Sequence, residues 1–359
     1  MFLLNLRNTL KICAIGIGSS GENMKYRQLG NTDIQISEIG FGCGNTAGLM
    51  IWGSKAERIK SAEHAMDLGI NYFDTAATYG QGRSEENLGP VLSELSSRPL
   101  VGSKVALQEK ELADIPKFVR ASVERSLSRL GLDYLDIVHL HNRVTVRRDP
   151  GKTLAIGALL DAEQMLGDSG IQETFEELKK EGKLRYYGFC AFGGDPAAYH
   201  EIADRGRFDS LLVFYNILNP SSDRFMPDNF TQHDYGQILS KASEKGIGTV
   251  ILRVLEAGAL SGDATPHELN QGGPSSDPSY AQNALRANAL HFLKKDDSET
   301  LAQVAIRFAL MNPKVSTVLV GFSELTQINE AVSCVGHEPF TQTQLEQLEN
   351  LYTTDFGLA

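Results

Sequence analysis

Along this chain short apolar runs alternate with longer stretches whose apolar residues recur every three to four positions. The runs predict strands over 39–44, 72–74, 100–104, 135–140, 184–189, 211–215, 249–252 and 317–320. The stretches between them predict helices over 84–95, 115–130, 171–181, 196–204, 235–244 and 300–311, with a last pair over 325–332 and 343–351. One more helix follows the first strand. Ser54 can cap it, it runs through Leu68, and Ile59, Ala62, Ala65 and Met66 share one face. Before all of these, residues 26–37 read as a hairpin turning at Gly30-Asn31-Thr32-Asp33.

Eight strands in alternation with helices predict an α/β fold, a closed (β/α)8 TIM barrel with a short N-terminal β-hairpin. An open doubly wound sheet is the competitor. The strand count disfavours it, and so does the lack of a Gly-x-Gly-x-x-Gly turn after any strand. Residues 24–359 are expected to form a single barrel domain, and residues 1–23 an extension without order. The extension begins with Phe2-Leu3-Leu4, but Asn5, Arg7 and Lys11 break the apolar run that a secretory signal needs. Two connections exceed the usual ~12–15 residues. They span 142–170 and 258–298, leave the C-terminal face of the barrel, and are expected to wall a substrate pocket.

Composition changes this picture little. Of 359 residues 42 % are hydrophobic and 22 % charged, as in ordinary globular proteins. The net charge of −11 and the lack of a dense Lys/Arg run argue against nucleic acid or an anionic membrane as partner. No run reaches the ~18–20 apolar residues of a membrane span. Cys13, Cys43, Cys190 and Cys334 show neither paired nor metal-like spacing. They read as reduced thiols of a cytoplasmic protein, and no metal is expected.

The candidate chemistry sits at strand ends. Asp74 ends the second strand, Tyr79 lies in the loop after it, Lys104 ends the third and His141 ends the fourth. Reducing a carbonyl with hydride requires a proton for the developing alkoxide. A phenol can supply it if its pKa falls from about 10 toward neutrality. A nearby ammonium achieves this by stabilising the phenolate, and a drop of that size corresponds to roughly 3–4 kcal/mol. Lys104 is the candidate ammonium, with Asp74 fixing it and neutral His141 orienting the carbonyl oxygen. Singly, each residue also has a structural explanation. Alternation puts His139 and His141 on the same side of the pleat, and one of them can be a plain core group.

The run Phe73-Asp74-Thr75-Ala76-Ala77-Thr78-Tyr79-Gly80, followed by Gly82-Arg83-Ser84-Glu85-Glu86-Asn87-Leu88-Gly89, resembles the aldo/keto reductase family signature. Ser103-Lys104-Val105 resembles its lysine strand, and 130–141 its histidine strand. Residues 26–30 resemble its opening hairpin and 181–188 the approach to its fifth strand. The resemblance runs from about Met24 to the C-terminus. It implies a barrel that binds NAD(P)(H) without a Rossmann motif. It also implies a catalytic tetrad of Asp74, Tyr79, Lys104 and His141, with Tyr79 as general acid/base. Cofactor contacts are implied at Gly42, Cys43, Asp74, Cys190, Arg253, Val254, Leu255, Gly321, Phe322, Ser323 and Gln327. A small carbonyl or sugar substrate would meet Tyr79 and His141, with Trp52, Asn142 and Tyr215 as further walls; for Trp52 ordinary packing is the alternative.

The chain departs from the family pattern on the cofactor side. Cys190-Ala191 stands where Ser-Asn holds the nicotinamide carboxamide, Leu212 where a Gln is usual, and Leu252 where an aromatic ring stacks on the nicotinamide. Arg253 has two readings, a planar donor fork for the pyrophosphate or an ion pair with Glu256. Gly321 and Gln327 occupy places that often hold Lys or Arg in members specific for the 2′-phosphorylated cofactor, and Glu324 lies nearby. NAD(H) is therefore expected to be accepted readily or preferred. Two further readings stay open: a sugar dehydrogenase working in the oxidative direction, and a nucleotide-binding regulatory subunit with little turnover.

Overall fold

The structure is a computed structural model, and it describes residues 24–150, 152–154, 156–262 and 280–358. The expected N-terminal extension, Cys13, and the stretch 271–278 of the second long connection lie outside these residues.

Eight parallel strands close into a barrel. In chain order β1 (Tyr26–Gln28) and β2 (Gln35–Ser37) make the antiparallel hairpin, and β3 (Ile39–Gly42), β4 (Tyr72–Asp74), β5 (Leu100–Val105) and β6 (Leu135–Leu140) form one half of the barrel. Next, β7 (Thr153–Leu154) and β8 (Gly157–Ala158) form a small hairpin in the first long connection. Then β9 (Leu184–Ala191), β10 (Ser210–Phe214), β11 (Gly248–Leu252) and β12 (Thr317–Gly321) complete the barrel, with β12 pairing back onto β3. Strands covered on both faces must be apolar throughout, which is why they read as near-continuous runs rather than alternating ones.

The hairpin plugs the N-terminal end. Leu29, Ile34 and Ile36 join Tyr72, Ile137, Cys190, Leu212 and Val250 in one buried cluster. Arg27 pins the plug by donating to the carbonyls of Leu310, Asn312 and Val315 and pairing with Glu38. The C-terminal end is thus left as the open face.

Helix signals held where capping chemistry was explicit. Ser54 caps Lys55–Asp67 through a capping box with Glu57. Ile115–Leu130 matches the expected bounds, with Asp114 accepting from the Lys117 N–H and Gly131 closing in a left-handed turn. Two expectations need correction. The helix expected over 235–244 begins only at Ile238, because Gly236 (φ 62°) and Gln237 (φ 60°) are left-handed and break the helical path. The second long connection also contains a helix, Tyr280–Asn288, held by a buried ion pair between Arg286 and Asp355. No helix among the described residues is long and apolar enough to cross a membrane.

Candidate active site

Asp74 closes β4 opposite Gly102 of β5, and Lys104 extends two residues further along β5. Both side chains are buried, and the ammonium donates to an Asp74 carboxylate oxygen and to the Thr75 carbonyl at 2.8 Å. The chain then swings out. Gly80 (φ 57°), Gln81 (φ 59°) and Gly82 (φ 96°) are consecutive left-handed residues, which glycine tolerates and Gln81 must accept as strain. Asn45 fixes this turn by accepting from the Gly80 N–H at 3.0 Å. Tyr79 is thereby presented over the barrel mouth, half-buried, with the Lys104 ammonium 4.8 Å from its ring centroid. His141 meets it edge-on at 5.7 Å and 85°, and its Nδ1 lies 3.2 Å from the Thr78 hydroxyl. The four groups anticipated from sequence are therefore neighbours.

The electrostatics depart from expectation at one point. Burial would push the Lys104 ammonium down, but Asp74 beside it raises it, so Lys104 stays charged. Burial pushes the Asp74 carboxyl up, opposed by Lys104 and by a hydrogen bond from Tyr72. For Tyr79, burial raises the phenol more than Lys104 lowers it. The expected acidified phenol is thus corrected to one held above its ordinary value. The chief reason is burial, to which the Asp74 charge adds against the pull of Lys104. His141 is driven well below 6.5 by burial and then by Lys104, and it is neutral. His139 is pushed down to about 3 by the same two causes. It is the core group of the pair, with Nε2 3.2 Å from the Ser210 hydroxyl and Nδ1 without a partner.

The other sequence candidates divide. Gly42 and Gly321 sit side by side at the β3–β12 seam. Cys43, Val254 and Phe322 are core residues, with Phe322 edge-on to Phe41 at 5.0 Å, so they offer a ligand backbone atoms only. Leu255 is partly buried against the core. Ser323 donates to the Ala47 carbonyl at 2.7 Å, and its N–H is held by Gln327 at 2.8 Å. Cys190 is buried at the end of β9, its thiol pushed up by burial. Arg253 follows β11 directly, at φ 63°. Among the described residues it makes no ion pair with Glu256, whose carboxylate accepts from Asn216 and Asn283. Trp52 ends the short helix Leu49–Trp52, and the Arg83 guanidinium covers one face of its ring at 4.4 Å.

Two pocket candidates have other tasks. Asn142 is buried, with both amide N–H groups donating to the Leu107 and Ala158 carbonyls and its oxygen accepting from the Leu107 N–H. It ties the first long connection to the barrel. Tyr215 stacks on Phe308 at 5.4 Å and accepts from Asn312, which turns it toward the helix Leu301–Met311.

Sequence reasoning missed Tyr72, whose hydroxyl donates to the second Asp74 oxygen at 3.0 Å. The signal was there: residues two apart on a strand share a face. Gly102 makes the space, since a Cβ there would lie 2.2 Å from the Tyr72 hydroxyl. Phe192, 5.8 Å from the His141 ring, was also missed.

With this geometry in hand, the sequence profile of the Aldo/keto reductase family matches residues 38–353, and the chain belongs to that family of oxidoreductases, which use nicotinamide cofactors. It is 28 % identical over 336 residues to L-galactose dehydrogenase of Arabidopsis thaliana, covering 90 % of each chain. It is 27 % identical over 338 residues to the NADH-specific methylglyoxal reductase of Escherichia coli (strain K12), covering 87 % of this chain and 94 % of that one. Its fold is similar to that of an aldo-keto reductase from Bacillus halodurans in its holo form, with a TM-score of 0.66 at 24 % identity over 92 % of this chain and 96 % of the other.

Proposed function

We propose that this chain reduces an aldehyde, ketone or aldose to the alcohol, with Tyr79 as the proton donor. The observation that carries the reading is the meeting of Tyr79, Lys104 and His141 at one barrel mouth. When bound, the nicotinamide cofactor supplies a hydride to the carbonyl carbon. The Tyr79 hydroxyl gives its proton to the carbonyl oxygen as negative charge builds there. A phenol raised by burial remains protonated at neutral pH, which suits an acid rather than a base. Lys104, held by Asp74 and the Thr75 carbonyl, stabilises the phenolate left behind. A Thr78 hydroxyl that donates to His141 Nδ1 leaves the imidazole proton on Nε2, free to orient the carbonyl oxygen.

The donor set on the opposite strands fits the cofactor. Cys190, Phe214 and Leu252 give the ends of β9–β11 an apolar character suited to a flat ring. Arg253, without an ion pair among the described residues, offers a fork for the diphosphate. No Lys or Arg occurs over 320–332, and Glu324 is exposed there, so a 2′-phosphate would meet no cation in that stretch. NADH is accordingly expected to serve at least as well as NADPH, in line with the name of the Escherichia coli relative.

The test is a panel of aldehydes, ketones and aldoses with both cofactors, run in both directions and followed by the absorbance of the reduced cofactor. Carbonyl reduction with kcat/KM for NADH at least equal to that for NADPH is expected. Oxidation of a sugar without carbonyl reduction would reverse the assigned direction. Cofactor binding with no turnover of any substrate would reject the reading in favour of a regulatory subunit.

A further inference from the structure

Arg143 lies two residues beyond His141, at the start of the first long connection. Its guanidinium carbon is 5.7 Å from the centroid of Phe192, the Phe192 ring is 5.8 Å from that of His141, and His141 is 5.7 Å from Tyr79. Cation, phenyl ring, imidazole and phenol thus form one continuous row from the rim into the site.

Arg143 is half-buried, its Nε is enclosed without a hydrogen-bond partner, and no carboxylate among the described residues pairs with it. Its surroundings make this unusual. Arg148 on the same connection pairs with Glu109, and the nearby Asp195 carboxylate is engaged by the Val146 N–H at 2.8 Å. A partly buried guanidinium without a counter-ion is costly to hold. The backbone is nevertheless shaped to keep it there. Gly193 has φ +60°, and a Cβ at that position would lie 2.9 Å from the Arg143 guanidinium carbon and 3.0 Å from its Nε.

We propose that Arg143 is a specificity residue that binds an oxyanion, carboxylate or phosphate, on the substrate end remote from the carbonyl. Phe192 lies against the body of the substrate between the two ends. The inference rests on the carbonyl-reduction reading above and narrows its substrate class. A 2-oxo acid does not meet the geometry, because its carboxylate adjoins the carbonyl, whereas Arg143 stands across a ring from His141. The fitting class is an aldehyde or ketone with a flat or ring-shaped body and an acidic group several bonds away.

Three aldehydes of one shape test this: 4-formylbenzoate, 4-formylphenyl phosphate and the neutral methyl 4-formylbenzoate. Each is assayed for kcat/KM with NADH on the wild type, Arg143→Met and Arg143→Lys. Binding to the same proteins is measured by calorimetry with NAD+ present, so that no turnover is needed. A roughly ten- to hundred-fold preference of the wild type for at least one anion over the ester is expected, the range for hydrogen bonds to charged groups. The preference should fall to near one in Arg143→Met and be intermediate in Arg143→Lys, whose point charge lacks the planar fork. Equal kcat/KM for anions and ester, or a preference that survives Arg143→Met, overturns the proposal and leaves carbonyl reduction standing. If none of the three is turned over, the carbonyl reading fails for this class, and calorimetry decides Arg143 separately. Anion binding at least tenfold weaker in Arg143→Met then supports the seat, and equal or absent binding overturns it.

Discussion

The two halves of the barrel mouth are built on opposite rules. On β4–β6 the polar groups lock one another: Asp74 receives Lys104 on one oxygen and Tyr72 on the other, and Lys104 also reaches the Thr75 carbonyl. Around them Thr75, Ser84 and the Cys43 carbonyl form a chain of 2.8 Å hydrogen bonds that ties the Tyr79 loop to β3. On β9–β11 the strand ends carry Cys190, Phe214 and Leu252, and Arg253, just after β11, stands without an ion pair among the described residues. One half is closed by its own contacts, and the other is the half in which the cofactor is proposed to sit. Folding energy and chemistry therefore coincide in the first half and separate in the second.

Substitutions should expose that difference in a definite order. Lys104→Met strips a buried carboxylate of its counter-ion and is expected to cost about 3–5 kcal/mol of stability, read from the denaturant midpoint. Tyr72→Phe removes one donor to the same carboxylate. About 1.5–3 kcal/mol should be lost, with kcat falling while the KM for cofactor holds. Acid should act next. His139 and His141 are neutral in the fold and take up protons on unfolding, so their contribution is complete above pH 6.5 and is lost as pH falls toward 3. The slope is at most about 1.4 kcal/mol per pH unit for each imidazole, measurable as Tm against pH. Arg253→Ala, in the open half, should change stability by less than about 0.5 kcal/mol while raising the KM for cofactor. A stability loss there as large as that of Lys104→Met would erase the contrast between the halves.

Much of the closed half was legible in the chain. The eight apolar runs are barrel strands, and Asp74, Lys104 and His141 lie at or just beyond their ends, because strand ends on one face must converge in a closed barrel. What escaped depends on contacts across space. The direction in which the Tyr79 phenol is shifted is a balance of burial against the charge of Lys104, and neither is visible along a strand. Tyr72 needed the notch left by Gly102 on the neighbouring strand. Asn142 looked like a pocket wall because it follows His141, yet its amide is engaged by the backbone of the adjoining connection. The helix Tyr280–Asn288 was hidden in a stretch whose Gly and Pro residues signal loop, and its anchor, Asp355, lies far along the chain.

The central claim is tested most directly by single-turnover reduction of an aldehyde by Tyr79→Phe with reduced cofactor prebound. The phenylalanine keeps the ring and removes only the proton. The account requires the chemical step to slow by roughly 10²–10⁴-fold, with cofactor affinity and Tm unchanged. A chemical step within a few-fold of the wild type would contradict it.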